Sequence, residues 1–325
     1  DLARGLGFAH ANDRLVQMML VRLVGQGRLC ECLANDDETL AIDIFMREMG
    51  LRRDAEADVA NLGAAGRSLG DAYAEGVNHY LERHRRPLEF ALVKYRPEPW
   101  KAADTLLTVK LMSYVGLAQS QQDMEKLLIQ MIHGGVPLDK LNRLVAPHLD
   151  GLDNETAEFV RRLETIQPLL PAALRFLTAL PTVMASNNWA VAGSRTASGS
   201  PLQCNDPHLE CNRLPAVWYE AVMHTSNDYR IGATMPGVPG LVMGRNRNLS
   251  FGFTYGFMDM VDYFIEDCRD GAYRRGDEFR PLEIRSETIL RKGDEPLRIT
   301  IRENDLGVLE CDPLAPELNN GLYLT

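Results

Sequence analysis

Ser186-Asn187-Asn188-Trp189 stands where the chain changes from helical to stranded texture. By itself such a cluster is a helix cap or a turn, because Ser and Asn side chains bond nearby backbone groups. A serine hydroxyl is a weak nucleophile and needs a base. A cut between Ala185 and Ser186 would supply one on the same residue, the freed α-amine. Its ordinary pKa of about 7.7–8.0 leaves a neutral fraction near pH 7 to 8. A strand directly after the serine would hold it at a sheet edge.

Other strings compete for chemistry. Gly66-Arg67-Ser68-Leu69-Gly70 has the G-x-S-x-G form of a nucleophile elbow, which needs a strand before it and a helix after it. Both flanks here are Ala-rich and helical, so a helix break or a helix–helix turn is the better reading of Ser68. His208, in Asn205-Asp206-Pro207-His208, follows a strand candidate in a polar turn and reads as a hydrogen-bonded loop residue. The H-E-x-x-H spacing of a metalloprotease does not occur. Asp259-Met260-Val261-Asp262 sets two carboxylates three residues apart beside a strand. Such a pair is usually a solvated turn, and alternatively offers hard oxygen ligands to calcium with a backbone carbonyl between them.

The elements that must position these residues divide into two halves. Apolar spacing predicts a helix over Gly7–Leu23, helical texture from Leu51 to Arg83, and another helix from Asp104 to Val115. Tyr95–Trp100, with two prolines, and Gly134–Pro137 interrupt it. Asn154 reads as the cap of a helix whose Phe159, Val160, Leu163 and Ile166 share a face. From Ser186 onward short strands are expected at Trp189–Ala192, Ala216–Met223, Tyr229–Thr234, Leu241–Met243, Leu249–Tyr255, Tyr263–Ile265, Glu283–Arg291 and Leu297–Arg302. Ser198–Ser200, Asn248 and Lys292–Asp294 are turn-forming. A helical half followed by a strand-rich half gives an α+β class. The run Asn319–Thr325 ends without an obvious terminus, as a fragment would.

Composition sets limits. With 325 residues, 45% hydrophobic and 25% charged, the chain can bury a sizeable core in one large domain or two ordinary ones. A net charge of −10 gives no nucleic-acid footprint. No run approaches the ~18 apolar residues of a membrane span. The opening Asp-Leu-Ala-Arg is not a signal peptide. The six cysteines (Cys30, Cys32, Cys204, Cys211, Cys268 and Cys311) lack zinc spacing, and Cys30-Glu-Cys32 reads as two packed thiols.

Taken in order, the strings resemble the penicillin acylase family and its acyl-homoserine-lactone and cephalosporin acylase branches. Ser186-Asn-Asn-Trp-Ala-Val-Ala-Gly-Ser194 resembles the start of that family's large subunit. Thr196–Gly199, Asn205–Leu209, Trp218–Glu220, Pro236–Gly240, Gly244–Asn246 and Phe251–Thr254 follow at similar spacing. Gly7-Phe-Ala-His-Ala-Asn-Asp-Arg14 and Tyr95–Trp100 resemble the small subunit. The resemblance implies an αββα N-terminal-nucleophile sandwich made by autoproteolysis. Residues 1–166 would form the helical small subunit, 167–185 a linker removed on maturation, and 186–325 the strand-rich start of the large subunit.

It further implies Ser186 as nucleophile, His208 as the residue orienting it, and the Tyr255 backbone N–H as an oxyanion donor. Tyr255 departs from the small residue or asparagine common there. Leu209, Val242 and Met243 match acyl-pocket positions, and their aliphatic character suits an acyl chain. Asp259, Val261 and Asp262 match calcium ligands, with Gln121 where the family has a glutamate; Asp123 and Glu125 stand nearby. The family's second oxyanion donor, an asparagine, falls beyond residue 325.

The implied enzyme hydrolyses a linear amide, a penicillin-type side chain or an acyl-homoserine lactone, as a two-subunit protein in the periplasm. It uses a structural calcium, no organic cofactor, and neither nucleic acid nor membrane. The competing reading is a catalytically inactive relative that uses the scaffold for binding or structure.

Overall fold

The computed structural model describes residues 1–145, 152–164, 186–208, 216–254 and 260–325. The first helix, α1 (Leu2–Gln26), buries Leu6, Ala11, Leu15, Met18, Met19 and Leu23 at helical spacing. It ends at Gly27, whose φ of 58° lies in the left-handed region that favours glycine. Next comes the single turn α2 (Leu29–Cys32). The buried Asp43 carboxylate accepts its first two N–H groups, Leu29 and Cys30, at 2.8 Å each. Asp43 sits on α3 (Asp37–Met49), which opens with an Asp36–Thr39 capping box.

The helical series continues with α4 (Leu51–Asn61), α5 (Ala64–Arg83), α6 (Leu88–Leu92) and α7 (Ala102–Ser113). A π-helical turn over Tyr114–Ala118 leads into α8 (Gln119–His133), followed by α9 (Leu138–Val145) and α10 (Asn154–Arg161). α1 and α5 pack backbone to backbone. A Cβ on Gly7 would lie 2.2 Å from the Tyr73 carbonyl oxygen, and one on Gly76 would lie 1.9 Å from that of Arg4.

The second half is stranded: β1 (Ser186–Val191), β2 (Leu202–Pro207), β3 (Tyr219–His224), β4 (Tyr229–Thr234), β5 (Met243–Arg245) and β6 (Ser250–Phe251). β7 (Ile265–Arg269), β8 (Ala272–Arg275), β9 (Glu278–Pro281), β10 (Glu283–Ile289), β11 (Leu297–Glu303) and β12 (Gly321–Leu324) complete it. They form the antiparallel pairs β1–β2 and β10–β11 and the four-stranded sheets β3-β4-β5-β6 and β12-β7-β8-β9. Ion pairs tie the halves: Arg47 to Glu287 at 2.7 Å, Arg53 to Glu303 at 3.0 Å, and buried Lys126 to Glu310.

The α+β expectation holds at the level of a helical half and a stranded half, with several corrections. Gly66–Gly70 lies within α5, with Ser68 exposed on an uninterrupted helix, so the chain neither breaks nor turns there. Instead the break in the 51–83 stretch is at Leu62–Gly63. Asp153, not Asn154, caps α10, its carboxylate accepting the Thr156 N–H at 2.7 Å. Phe159 is exposed, while Ala157, Val160 and Leu163 are buried; Ile166 lies outside the described residues. β1 begins at Ser186 itself rather than at Trp189, and β3 begins at Tyr219 rather than Ala216.

Candidate active site

Ser186 is the first residue of β1. In the antiparallel register with β2 it stands opposite Pro207, and Asn187 stands opposite Asp206. His208 therefore follows directly on the partner of Ser186. Its Nε2 lies 3.0 Å from Asp206 Oδ2 and 3.3 Å from Asn187 Nδ2. Both contacts are exposed. Strand pairing thus brings together two residues that are 22 positions apart in the sequence, Ser186 and His208.

Asn205, two residues before Pro207 on β2, does more than its place in a polar string suggests. Its Nδ2 donates to the Asn187 carbonyl at 3.0 Å and to the Phe253 carbonyl at 2.9 Å. Its Oδ1 accepts the Phe253 N–H at 3.2 Å. One amide thereby pairs like a strand residue with Phe253 and ties that segment to β1. Gln203 repeats the device: Nε2 donates to Asn188 Oδ1 at 3.1 Å, and Oε1 accepts from the Ser250 hydroxyl. Gly252 makes room for both, since a Cβ there would meet Asn205 Oδ1 and Gln203 Nε2 at 2.5 Å each. These side chains join β2 to β6 and to Phe253. Tyr255 lies outside the described residues, as does Leu209.

Val242 and Met243 enter β5. The Val242 N–H donates to the Ala233 carbonyl at 2.8 Å, and Met243 stands opposite Ala233. Gly232 and Gly244 cross next to them, and a Cβ on Gly232 would fall 2.0 Å from the Met243 carbonyl oxygen. So β5, β6 and the Asn205 and Gln203 side-chain bridges link these pocket candidates to the Ser186 strand.

Gln121, on α8, reaches the segment of the proposed calcium ligands. Its Oε1 accepts the Met260 N–H at 2.8 Å, and its Nε2 donates to the Val261 carbonyl at 3.0 Å and to Glu125 Oε1 at 2.9 Å. A backbone N–H can only donate, so Met260 fixes the amide with its NH2 toward Val261. Calcium takes oxygen ligands, and this arrangement turns a donor onto the carbonyl that the ion would share. Among the described residues no three His, Cys, Asp or Glu side chains converge on a metal site. Gln121 thus clasps residues 260–261 with its donor toward the Val261 carbonyl, and Asp259 lies outside the described residues.

Three of the described cysteines are held as protonated, poorly nucleophilic thiols. Burial pushes the Cys30 and Cys32 thiols up to about 11, and Cys268 up to about 12. No described helix is long and apolar enough to cross a membrane.

Known proteins of similar sequence give this arrangement its context. The chain is 35% identical, over 98% of its length, to the acyl-homoserine lactone acylase QuiP of Pseudomonas aeruginosa. It is 31% identical over 97% to penicillin acylase 2 proenzyme of a Pseudomonas species, and 24% identical over 91% to penicillin G acylase of Escherichia coli. It spans 39% of the length of the first of these relatives and 42% of each of the others. The penicillin amidase family profile matches residues 1–318, and the chain belongs to the penicillin amidase family.

Proposed function

We propose that the chain is part of an amidohydrolase whose nucleophile is Ser186, exposed by cleavage of the Ala185–Ser186 bond. The observation that carries the proposal is the position of Ser186 at the head of β1, opposite Pro207, with Asn205 tying the Phe253 segment to the same strand. That places a serine at a strand end, where a free α-amine can serve its own hydroxyl as base. A relative named as a proenzyme supports processing.

In this reading the α-amine takes the hydroxyl proton as Oγ attacks the amide carbonyl. The tetrahedral oxyanion is held by the Tyr255 backbone N–H and by an asparagine further along the longer protein. The amine leaves with the proton, and water hydrolyses the acyl-enzyme. A backbone donor of this kind contributes about 2.7–4 kcal/mol to the transition state. His208, held by Asp206, orients the serine end of β1 through its contact with Asn187. Leu209, Val242 and Met243 line the acyl site.

Aliphatic lining favours an acyl chain over an aromatic group, which fits the relative named as an acyl-homoserine lactone acylase. The αββα sandwich belongs to the same proposal. Val222 and Ile231, paired across β3 and β4, are 56% and 41% exposed and offer an apolar face that a further layer would cover. Residues 1–166 and 186–325 would be the two subunits, located in the periplasm.

The test is turnover. The full-length processed protein should cleave a fatty acyl-homoserine lactone with kcat/KM at least tenfold above that for a phenylacetyl amide. A preference for the phenylacetyl amide would move the assignment to the penicillin branch. Cleavage of neither would remove the enzyme reading.

A further inference from the structure

At the string Gly7–Arg14 the helical half meets residues Ala216 and Tyr219 at the head of β3. α1 bends at Arg14, whose backbone leaves the helical region at φ −136° and ψ 21°. Around the bend His10, Asp13, Arg14 and Gln17 fall on one stripe, at i, i+3, i+4 and i+7. Arg14 Nη1 and Gln17 Nε2 both donate to the Ala216 carbonyl, at 2.8 and 3.2 Å. Asp13 Oδ2 accepts the Tyr219 hydroxyl at 2.6 Å, and the Tyr219 ring meets His10 edge-on at 4.7 Å.

His10 begins a buried relay. The Gly237 N–H donates to the Tyr73 hydroxyl at 2.9 Å, and that hydroxyl lies 2.7 Å from His10 Nδ1. Tyr73 has a single proton to give. Among the described residues His10 Nδ1 is the one acceptor beside that hydroxyl, so the proton goes to Nδ1, which makes His10 the acceptor and leaves its Nε2–H buried without a partner. Both side chains are 0% exposed.

Gly237 has a φ of +104°, and a Cβ there would lie 2.9 Å from Thr108 Cγ2, so the turn is seated against α7 as well as α5. The Val238 N–H closes it onto the Met235 carbonyl at 2.9 Å. From this turn the chain runs straight into Val242 and Met243.

We propose that Tyr73, held by His10, is a positioning residue. It sets the Pro236–Gly240 turn and, through it, Val242 and Met243, so that the helical half governs which acyl-chain lengths are accepted. The proposal rests on the reading of Ser186 as nucleophile and adds selectivity to it.

The experiment uses full-length processed protein and a series of amides with short to long aliphatic acyl chains. Tyr73→Phe removes the hydroxyl and keeps the ring. It is expected to change the ratio of kcat/KM between long and short chains at least fivefold, through KM, with kcat within twofold. Hydrogen exchange in residues 235–243 should quicken. His10→Asn keeps an acceptor near the place of Nδ1 and should stay within twofold of wild type, whereas His10→Leu should behave as Tyr73→Phe does.

An unchanged acyl profile in Tyr73→Phe overturns the proposal, even if exchange quickens. Should Tyr73→Phe not accumulate, the two His10 variants make the same comparison, and equal profiles for them overturn it. If wild type cleaves none of the amides, the Ser186 reading has failed and the selectivity clause falls with it. Exchange then decides the turn-holding claim, which unchanged protection in Tyr73→Phe would overturn.

Discussion

Asn205 shows how much one amide can fix. It satisfies both backbone groups of Phe253 and one carbonyl of β1, and a buried or half-buried polar group left without its partner costs about 1–3 kcal/mol. Asn205→Ala should therefore lower kcat at least tenfold and stability by about 1–2 kcal/mol, measured by turnover and by chemical denaturation of the same preparation. Loss of stability with full activity would show that the bridge does not position the site.

His10 gives a pH-dependent prediction. Burial first, then the Arg14 charge, lowers its pKa from 6.5 to about 4, against an opposing effect of Asp13; the Tyr73 and Tyr219 rings are its other neighbours. The unfolded chain therefore takes up this proton more readily than the folded one. Stability from this group is complete above about pH 6.5, declines as pH falls toward 4, and is level below that. The loss is about 3 kcal/mol, and His10→Asn should remove that part of the pH profile in denaturation measurements.

Residue pattern alone showed Asn205 and His208 as members of a polar string, and only the family resemblance singled out His208. Their roles depend on the β1–β2 register and on Phe253, 48 positions away, which no local pattern encodes.

Helices and strands were legible to different degrees, for physical reasons. α1 carries its buried apolar residues at helical spacing, and β4 has the bounds its sequence predicts. β8 and β9 were missed because Ala-Tyr-Arg-Arg and Glu-Phe-Arg-Pro are short and rich in charge, and on the edge strand β9 Phe279 is left 42% exposed. The cap of α10 was misplaced by one residue because Asp and Asn cap equally well.

Two element-level predictions follow from close contacts. Gly76→Ala would drive a methyl into the Arg4 carbonyl and should cost several kcal/mol or prevent accumulation of folded protein. The Gln121 amide clasp between α8 and residues 260–261 should make the melting temperature of the full-length protein insensitive to chelator or added calcium. Gln121→Glu, which loses the donor to Val261, should be destabilised by about 1–3 kcal/mol. A calcium-dependent rise of several degrees in wild type would show that the segment binds the ion after all.

At the scale of the molecule, the helical half packs against the strands that carry the proposed site. Half-buried ion pairs and buried hydrogen bonds, rather than a shared apolar core alone, register one against the other: Lys126 with Glu310, Arg47 with Glu287, and the His10–Tyr73–Gly237 relay. The division into a helical and a stranded half was readable from texture. The proposal of a nucleophile at the boundary rests on the ordered set of motifs, because a lone Ser-Asn-Asn-Trp is chemically indistinguishable from a turn.

The central claim is that the boundary is a cleavage site and that Ser186 becomes a chain terminus. N-terminal sequencing of the purified full-length protein, beside its Ser186→Ala variant, tests it most directly. The account predicts a large subunit beginning at Ser186 in wild type and an uncut chain without amidase activity in the variant. A mature subunit beginning at any other residue, or a variant that is processed and active, would contradict it.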